Sequence, residues 1–179
     1  MIHIKNDIID IALIDIPHTE YPHVENYIRN KFNTDNYTQN LKHHKSTDVF
    51  NGNTYIITVV KNPYSRIIKY LLQLHKIDNV SKNNTYNLIQ NIIDTGEIQP
   101  QYKFIANKNE EVHKEIHVLH SELLEYEMYL MGHRDFYLNE NMNDHINYFD
   151  YIDSDTIQLI NKYFSKDFDL LGYPKHSVK

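Results

Sequence analysis

Two periods of apolar residues run along the chain, and the change from one to the other predicts strands that alternate with helices. Residues 8–16 form an apolar run stopped by Pro17, and residues 54–60 form a second run rich in β-branched side chains. Short apolar runs bounded by turn residues are typical of buried strands. Between them, apolar side chains recur at the spacing of one helix face: Val24, Tyr27, Ile28 and Phe32.

The second half of the chain repeats this alternation. Helices are predicted over about 63–77 and 85–95, a strand over 115–119, a helix over 121–131, and a last helix beginning at Ser154. Residues 33–53 and 133–153 are polar and irregular, as expected of loops. Because strands that alternate with helices build mainly parallel sheets, the pattern predicts an α/β fold with a mainly parallel central sheet flanked by helices.

Composition narrows the class of protein. The 179 residues suffice for one core, so we expect a single domain over residues 1–179. The formal net charge of −6 argues against nucleic acid as a partner, and no apolar run reaches membrane-spanning length. The absence of cysteine excludes disulfides and thiolate metal sites and fits a cytoplasmic protein. Abundant Asn, Ile, Lys and Tyr are typical of AT-rich genomes, such as those of large DNA viruses or of parasites.

Candidate chemistry lies where the strand at 54–60 passes into the next helix. Lys61 ends the strand, Asn62-Pro63 makes a turn, and the helix then carries Ser65, Arg66 and Lys69. In an open α/β sheet, a strand C-terminus and a helix N-terminus together form the usual site for a phosphorylated ligand. The alternative is an ordinary exposed helix face with Arg66 paired to an acid.

Four segments follow one another along the chain: residues 14–19, 60–66, 98–102 and 148–173. In this order they resemble the sulfotransferase family, especially its small carbohydrate-type members. Residues 14–19 resemble the loop that grips the 5′-phosphosulfate of the donor, 3′-phosphoadenosine 5′-phosphosulfate. Residues 60–66 are similar to the segment that binds the donor's 3′-phosphate. Residues 98–102 resemble a Pro-Gln element after the middle helix, and residues 148–173 are similar to the closing helix and its tail.

The resemblance implies a P-loop-like three-layer sandwich and transfer of a sulfuryl group from the nucleotide donor to a hydroxyl of a carbohydrate or similar acceptor. Lys69 occupies the place of the family's phosphate-binding Ser. The oligomeric state is left open. The residues implied to bind the donor are His18, Thr19, Lys61, Ser65, Arg66 and Lys69.

A catalytic base is also implied, because the acceptor hydroxyl must lose its proton while positive charge stabilises the transferred group. In the carbohydrate branch this base is usually a His between the two phosphate segments. His43 or His44 is therefore the candidate base, and Lys42 and Lys45 could steer an anionic acceptor. The alternative for both histidines is a solvated loop.

The chain departs from the family pattern in its first loop. His18 replaces the usual Lys, and Glu20, Tyr21 and Pro22 stand where small residues are usual. A phosphate cradle needs inward N–H groups and little bulk, whereas Pro22 has no N–H and Glu20 adds negative charge. At the second phosphate segment, Lys61 replaces an Arg and keeps only its charge.

A second hypothesis follows from these departures: a catalytically degenerate protein that keeps the scaffold and binds nucleotide, glycan or protein.

A third hypothesis is a metal-dependent hydrolase built on His113, His117 and His120. In a helix these would lie at i, i+4 and i+7 on one face, a spacing suited to zinc. Because residues 115–119 are predicted to form a strand, the three side chains are not expected to converge, and we expect no metal site.

Overall fold

The computed structural model is described here for residues 1–5, 9–34, 38–40, 54–75, 82–138 and 147–177. Its strands are β1 (Ile2–Lys5), β2 (Asp10–Ile14), β3 (Thr38–Asn40), β4 (Tyr55–Val60) and β5 (Ile116–His120). Its helices are α1 (Tyr21–Phe32), α2 (Pro63–His75), α3 (Lys82–Thr95), α4 (Tyr102–Ile105), α5 (Leu124–Leu130), α6 (Ser154–Tyr163) and α7 (Ser165–Leu171). Short 3-10 turns occur at Ser121–Leu123 and Tyr148–Asp150.

The strands form a mixed sheet of order β3-β1-β2-β4-β5. β1 pairs antiparallel with both β2 and β3. β2, β4 and β5 are parallel, with Ile14 opposite Thr58 and Val60 opposite His120. The α/β class is therefore confirmed, but the expectation of a mainly parallel sheet is correct only for these last three strands. The antiparallel hairpin of β1 and β2 makes the sheet mixed.

The contacts divide the chain into two compact units. The first contains Met1–Lys61 and Phe104–Asn143, and the second contains Asn62–Lys103 and Asp144–Lys179. The first unit holds the whole sheet, whereas the second is built from helices. The expectation of a single domain stays a prediction.

One core cluster of the first unit lies on one face of the sheet. Alternate residues of a strand share a face, so Leu13, Val59 and Leu119 point to the same side and meet apolar residues of α1 and α5. The helical partners in this cluster are Tyr21, Val24, Ile28, Leu124 and Met128. This packing fixes the ends of β2, β4 and β5 relative to α1.

The second unit has its own core among α2, α3, α6 and α7. Their buried apolar residues recur at helical spacing and include Tyr64, Ile67, Ile68, Leu71, Ile89, Ile92, Ile160 and Phe168. Among the described residues, every helix is too short or too polar to cross a membrane.

Candidate site at the carboxyl edge of the sheet

Three parallel strands of the first unit end at one edge of the sheet. Because β2, β4 and β5 run in the same direction, their carboxyl ends lie side by side. The segments that leave this edge are the loop at 15–20, Lys61 and Ser121. Ligands of open α/β sheets bind outside such an edge, and His18, Thr19 and Lys61 of the predicted donor site are here.

Lys61 forms an ion pair with Glu20 of the loop that follows β2. The Lys61 Nζ atom lies 2.7 Å from Glu20 Oε1, and the two side chains are only 13% and 8% exposed. A charge removed from water needs a counter-charge close by. The chain therefore supplies, from its own loop, the negative group that a phosphate would otherwise bring to Lys61.

The start of α1 uses its backbone N–H groups internally. Thr19 Oγ1 accepts a hydrogen bond from the Tyr21 N–H at 3.3 Å and donates one to the Ile16 carbonyl at 2.9 Å. Pro22 has no N–H, and the His23 N–H donates to the Glu20 carbonyl at 3.1 Å. Free N–H groups are what a helix N-terminus offers an anion. The N–H groups of Tyr21 and His23 are already bonded.

Two residues shape the same loop. Tyr21 is 4% exposed and packs in the core of the first unit rather than standing at the sheet edge. Burial, together with the nearby carboxylates of Glu25 and Asp15, raises the pKa of its phenol. His18 is half-buried and has a φ of 65°, in the left-handed region. The Tyr21 side chain was expected to add bulk to the phosphate cradle, but it packs in the core instead.

A His–Glu pair at the end of β5 was missed in the sequence. His120 Nδ1 lies 2.9 Å from Glu127 Oε1, and the His120 backbone N–H donates to Glu127 Oε2 at 2.5 Å. The available signal was a His that ends a predicted strand, followed directly by a helix rich in acids. In the sequence alone, His120 stands out only as a possible metal ligand.

The three histidines of the metal hypothesis have separate surroundings. β5 is a strand, as predicted, and the His117 ring stacks on Tyr55 with a centroid distance of 4.0 Å. His120 instead bonds to Glu127. In the part of the chain that the structure describes, no group of three or more His, Cys, Asp or Glu side chains could hold a metal ion.

The remaining predicted donor residues lie on α2, in the second unit. Asn62 caps this helix, since its Oδ1 accepts the Tyr64 N–H at 3.0 Å and its carbonyl accepts the Arg66 N–H at 2.8 Å. Ser65 and Lys69 are half-buried and lie one turn apart on the same face of α2. Their spacing is compatible with a shared ligand.

Arg66 is held inside the second unit. Its side chain is 1% exposed, and its NH1 group donates to the Gln99 carbonyl at 2.9 Å. Burial lowers the pKa of the guanidinium to about 10, while the charge of Asp167 acts in the opposite direction. The guanidinium is therefore engaged with the protein's own backbone, beside the segment that resembles the Pro-Gln element.

Asp167 also binds the backbone of residues 98–102, the segment that Arg66 contacts. Its two carboxylate oxygens accept the Gln101 and Tyr102 N–H groups at 2.8 and 2.9 Å. Burial raises the pKa of Asp167, although these two bonds and Arg66 oppose the rise. The Tyr163 hydroxyl donates to the Ile98 carbonyl at 3.1 Å. Residues 60–66, 98–102 and 148–173, singled out separately in the sequence, thus contribute Arg66, the Ile98–Tyr102 backbone and Asp167 to one network.

The candidate bases His43 and His44, together with Lys42 and Lys45, lie outside the described residues.

Comparison with the profiles of known protein families, with curated proteins and with solved structures gives no match. The donor-binding and catalytic roles of the residues named from the sequence stay predictions.

Proposed function

We propose that this protein is a catalytically degenerate relative of the sulfotransferases that acts as a binding module. The observation that carries the proposal is the ion pair of Lys61 and Glu20, with 2.7 Å between Nζ and Oε1. In the family that the sequence resembles, the equivalent cation binds the nucleotide's 3′-phosphate. In this protein the cation, Lys61, instead pairs with the Glu20 carboxylate from the loop after β2.

The network in the second unit supports the same ancestry. Arg66, the Ile98–Tyr102 backbone and Asp167 come from three of the four segments that resemble the family, and they are bonded to one another or to shared backbone. Segments of a common architecture are expected to meet in this way. The P-loop-like three-layer sandwich is the finer architecture we propose for the whole chain.

Binding of the donor would require changes at both parts of the site. A phosphate beside Lys61 would meet the Glu20 carboxylate, and like charges in a site shielded from water repel strongly. The loop would also have to release the Tyr21 N–H from Thr19 and the His23 N–H from the Glu20 carbonyl. These rearrangements lower the affinity for a doubly charged nucleotide.

The second candidate function is sulfuryl transfer from 3′-phosphoadenosine 5′-phosphosulfate to a carbohydrate or similar hydroxyl. The observation that favours it is the position of Lys61, a cation retained directly after β4 at the carboxyl edge. In this alternative the donor displaces Glu20, and His43 or His44 takes the acceptor's proton. Transfer of labelled sulfuryl groups to carbohydrate acceptors tests that chemistry directly.

The deciding experiment is calorimetry with adenosine 3′,5′-bisphosphate. The wild-type protein is expected to show no binding at millimolar nucleotide, whereas Glu20→Gln should bind because it removes the negative charge that lies 2.7 Å from Lys61 Nζ. Adding Lys61→Met to Glu20→Gln should remove the binding again. The matched control is Glu25→Gln, which removes an acid of the same helix region that pairs with Arg29 instead.

Wild-type binding that Lys61→Met abolishes would contradict the proposal that Glu20 blocks this site. Transfer of labelled sulfuryl groups would then decide between the enzyme and a module that binds nucleotide. Failure of Glu20→Gln to gain any affinity, in a variant that folds normally, would contradict the idea that Glu20 occupies an anion site.

A further inference from the structure

A cleft between α3 and α6 in the second unit has no role in the function proposed above. Its volume is about 580 Å³, within the range of small-molecule pockets. It lies far along the chain from Lys61 and Glu20, and both helices that form it belong to one unit. Its lining consists of Tyr86, Gln90, Asp153, Asp155, Gln158, Leu159 and Lys162.

Helical spacing explains why these side chains share the cleft. Tyr86 and Gln90 lie one turn apart on α3. On α6, Asp155, Gln158 and Lys162 follow the i, i+3, i+7 pattern of one face. Each helix therefore presents one polar wall, while Ile89, Ile92 and Ile160 pack in the core of the unit.

The walls offer an aromatic ring surrounded by hydrogen-bonding groups. Tyr86 is 38% exposed, which leaves part of its ring open to a ligand. Gln90 and Gln158 carry amides that both donate and accept, Asp155 accepts, and Lys162 donates. A sugar has the matching chemistry, because its C–H face packs on an aromatic ring and its hydroxyls both donate and accept hydrogen bonds.

One rim of the cleft is fixed before any ligand arrives. Asp153 Oδ1 accepts the Thr156 N–H at 2.9 Å and the Thr156 hydroxyl at 2.6 Å, which caps α6. Gln90 Nε2 donates to Asp94 at 2.8 Å, so this side chain is also held. Preorganised groups lose less conformational entropy on binding.

The charges select among sugar ligands. Asp153 and Asp155 oppose the single ammonium of Lys162 in this lining, which leaves the cleft slightly negative. Phosphorylated nucleotides and sulfated glycans are disfavoured by this balance. The polar lining also disfavours an apolar helix or peptide as the occupant.

We propose that this cleft binds a neutral saccharide, with one ring stacked on Tyr86 and its hydroxyls bonded to Gln90, Asp155 and Gln158. The site does not depend on Lys61 or on the nucleotide, so it stands or fails separately from the function proposed above. The volume has room for a monosaccharide or disaccharide. Affinities on the order of 1 mM are expected for so open a cleft.

The test is a titration of the 179-residue protein with maltose, cellobiose, lactose and N,N′-diacetylchitobiose, followed by ¹H–¹⁵N chemical shifts. At least one sugar should shift amides of α3 and α6. Tyr86→Ala should weaken that binding about tenfold or more, as loss of a stacking platform does. Asp155→Asn tests the polar wall. Tyr126→Ala is the matched control, because Tyr126 is an exposed tyrosine of the first unit.

Three outcomes would overturn the proposal. The first is that none of the four sugars shifts these amides at high millimolar concentration. The second is that Tyr86→Ala binds as tightly as the wild-type protein. The third is that a sulfated disaccharide binds more tightly than its unsulfated parent, since the cleft would then be an anion site.

Discussion

Lys61 and Arg66 come from one stretch of sequence, yet their buried charges are accommodated in different ways. In the first unit, Lys61 meets the carboxylate of Glu20 at 2.7 Å. In the second, Arg66 donates to the Gln99 carbonyl at 2.9 Å, and the nearby Asp167 carboxylate accepts two backbone N–H groups. One cation is neutralised by a loop side chain, and the other lies in a network built on backbone.

The difference shows which of the two carboxylates carries backbone structure. The Glu20 carboxylate sits on the loop before α1 and bonds the Lys61 side chain. The Asp167 carboxylate fixes the backbone of Gln101 and Tyr102, so its loss would leave two donors and a guanidinium to be satisfied anew. The first arrangement suits a binding site and the second suits a structural support.

The largest expected effect comes from removing the Asp167 charge. Asp167→Asn should lower the free energy of unfolding by about 4 kcal/mol, because the carboxylate charge beside Arg66 is lost and the amide can accept only one of the two backbone N–H groups. Urea denaturation followed by circular dichroism measures this. Asp169→Asn is the control, since Asp169 is exposed and pairs with Lys175 at the surface. Equal stability of the two variants would contradict a structural role for Asp167.

A smaller effect is expected at the ion pair of Lys61 and Glu20. Lys61→Met or Glu20→Leu alone should cost about 3 kcal/mol, since each leaves a mostly buried charge without its counter-charge. The double variant should recover most of that loss, because two apolar side chains replace both ions. A double-mutant cycle in urea gives the coupling energy. Additive losses would show that the two side chains do not stabilise each other.

The smallest effect is expected at Asp10 of β2, whose carboxylate bonds His3 and Lys5 of β1. Burial acts to raise the pKa of Asp10, but hydrogen bonds from Lys5 and His3 outweigh it and hold the pKa at about 2, below the ordinary 3.8. A carboxyl group whose pKa is lower in the folded than in the unfolded state stabilises the fold at pH values above its unfolded pKa. This stabilisation is lost as the pH falls through its folded pKa. About 0.5 kcal/mol should therefore disappear between pH ~4 and ~2.

Comparison of Asp10→Asn with the wild-type protein by acid titration of stability checks this. The difference between the two proteins should shrink as the pH falls through that window. A difference that stays constant down to the acid limit would assign the stabilisation to packing.

Much of the fold could be predicted because its strands and helices carry clear periods. β2, β4, β5 and the helices α1, α2, α3, α5 and α6 lie close to the ranges that the pattern predicts, whereas α4 and α7 were not predicted. β1 was missed although Ile2 and Ile4 alternate with polar residues, because four residues give a weak signal. β3 consists of Thr38, Gln39 and Asn40, which carry no apolar signal at all. The antiparallel half of the sheet was therefore not foreseen.

The candidate site could be predicted only in part. The sequence placed Lys61 after a strand and identified Glu20 as an unfavourable charge beside an anion. Their direct pairing joins residues far apart in the chain and depends on the sheet register, which residue spacing does not encode. The same holds for His120 and Glu127. Arg66 looked like a ligand because a charged residue near a helix start is usually exposed, and only packing buries it.

The left-handed backbone of His18, with a φ of 65°, has an evolutionary consequence. Glycine would adopt this turn without the penalty of about 1 kcal/mol that a β-carbon incurs, and asparagine would reduce it. If the imidazole has no task, drift should replace it with one of these two residues in descendants of this chain. A lineage that keeps an imidazole there would be retaining a ring at the expense of an easier turn.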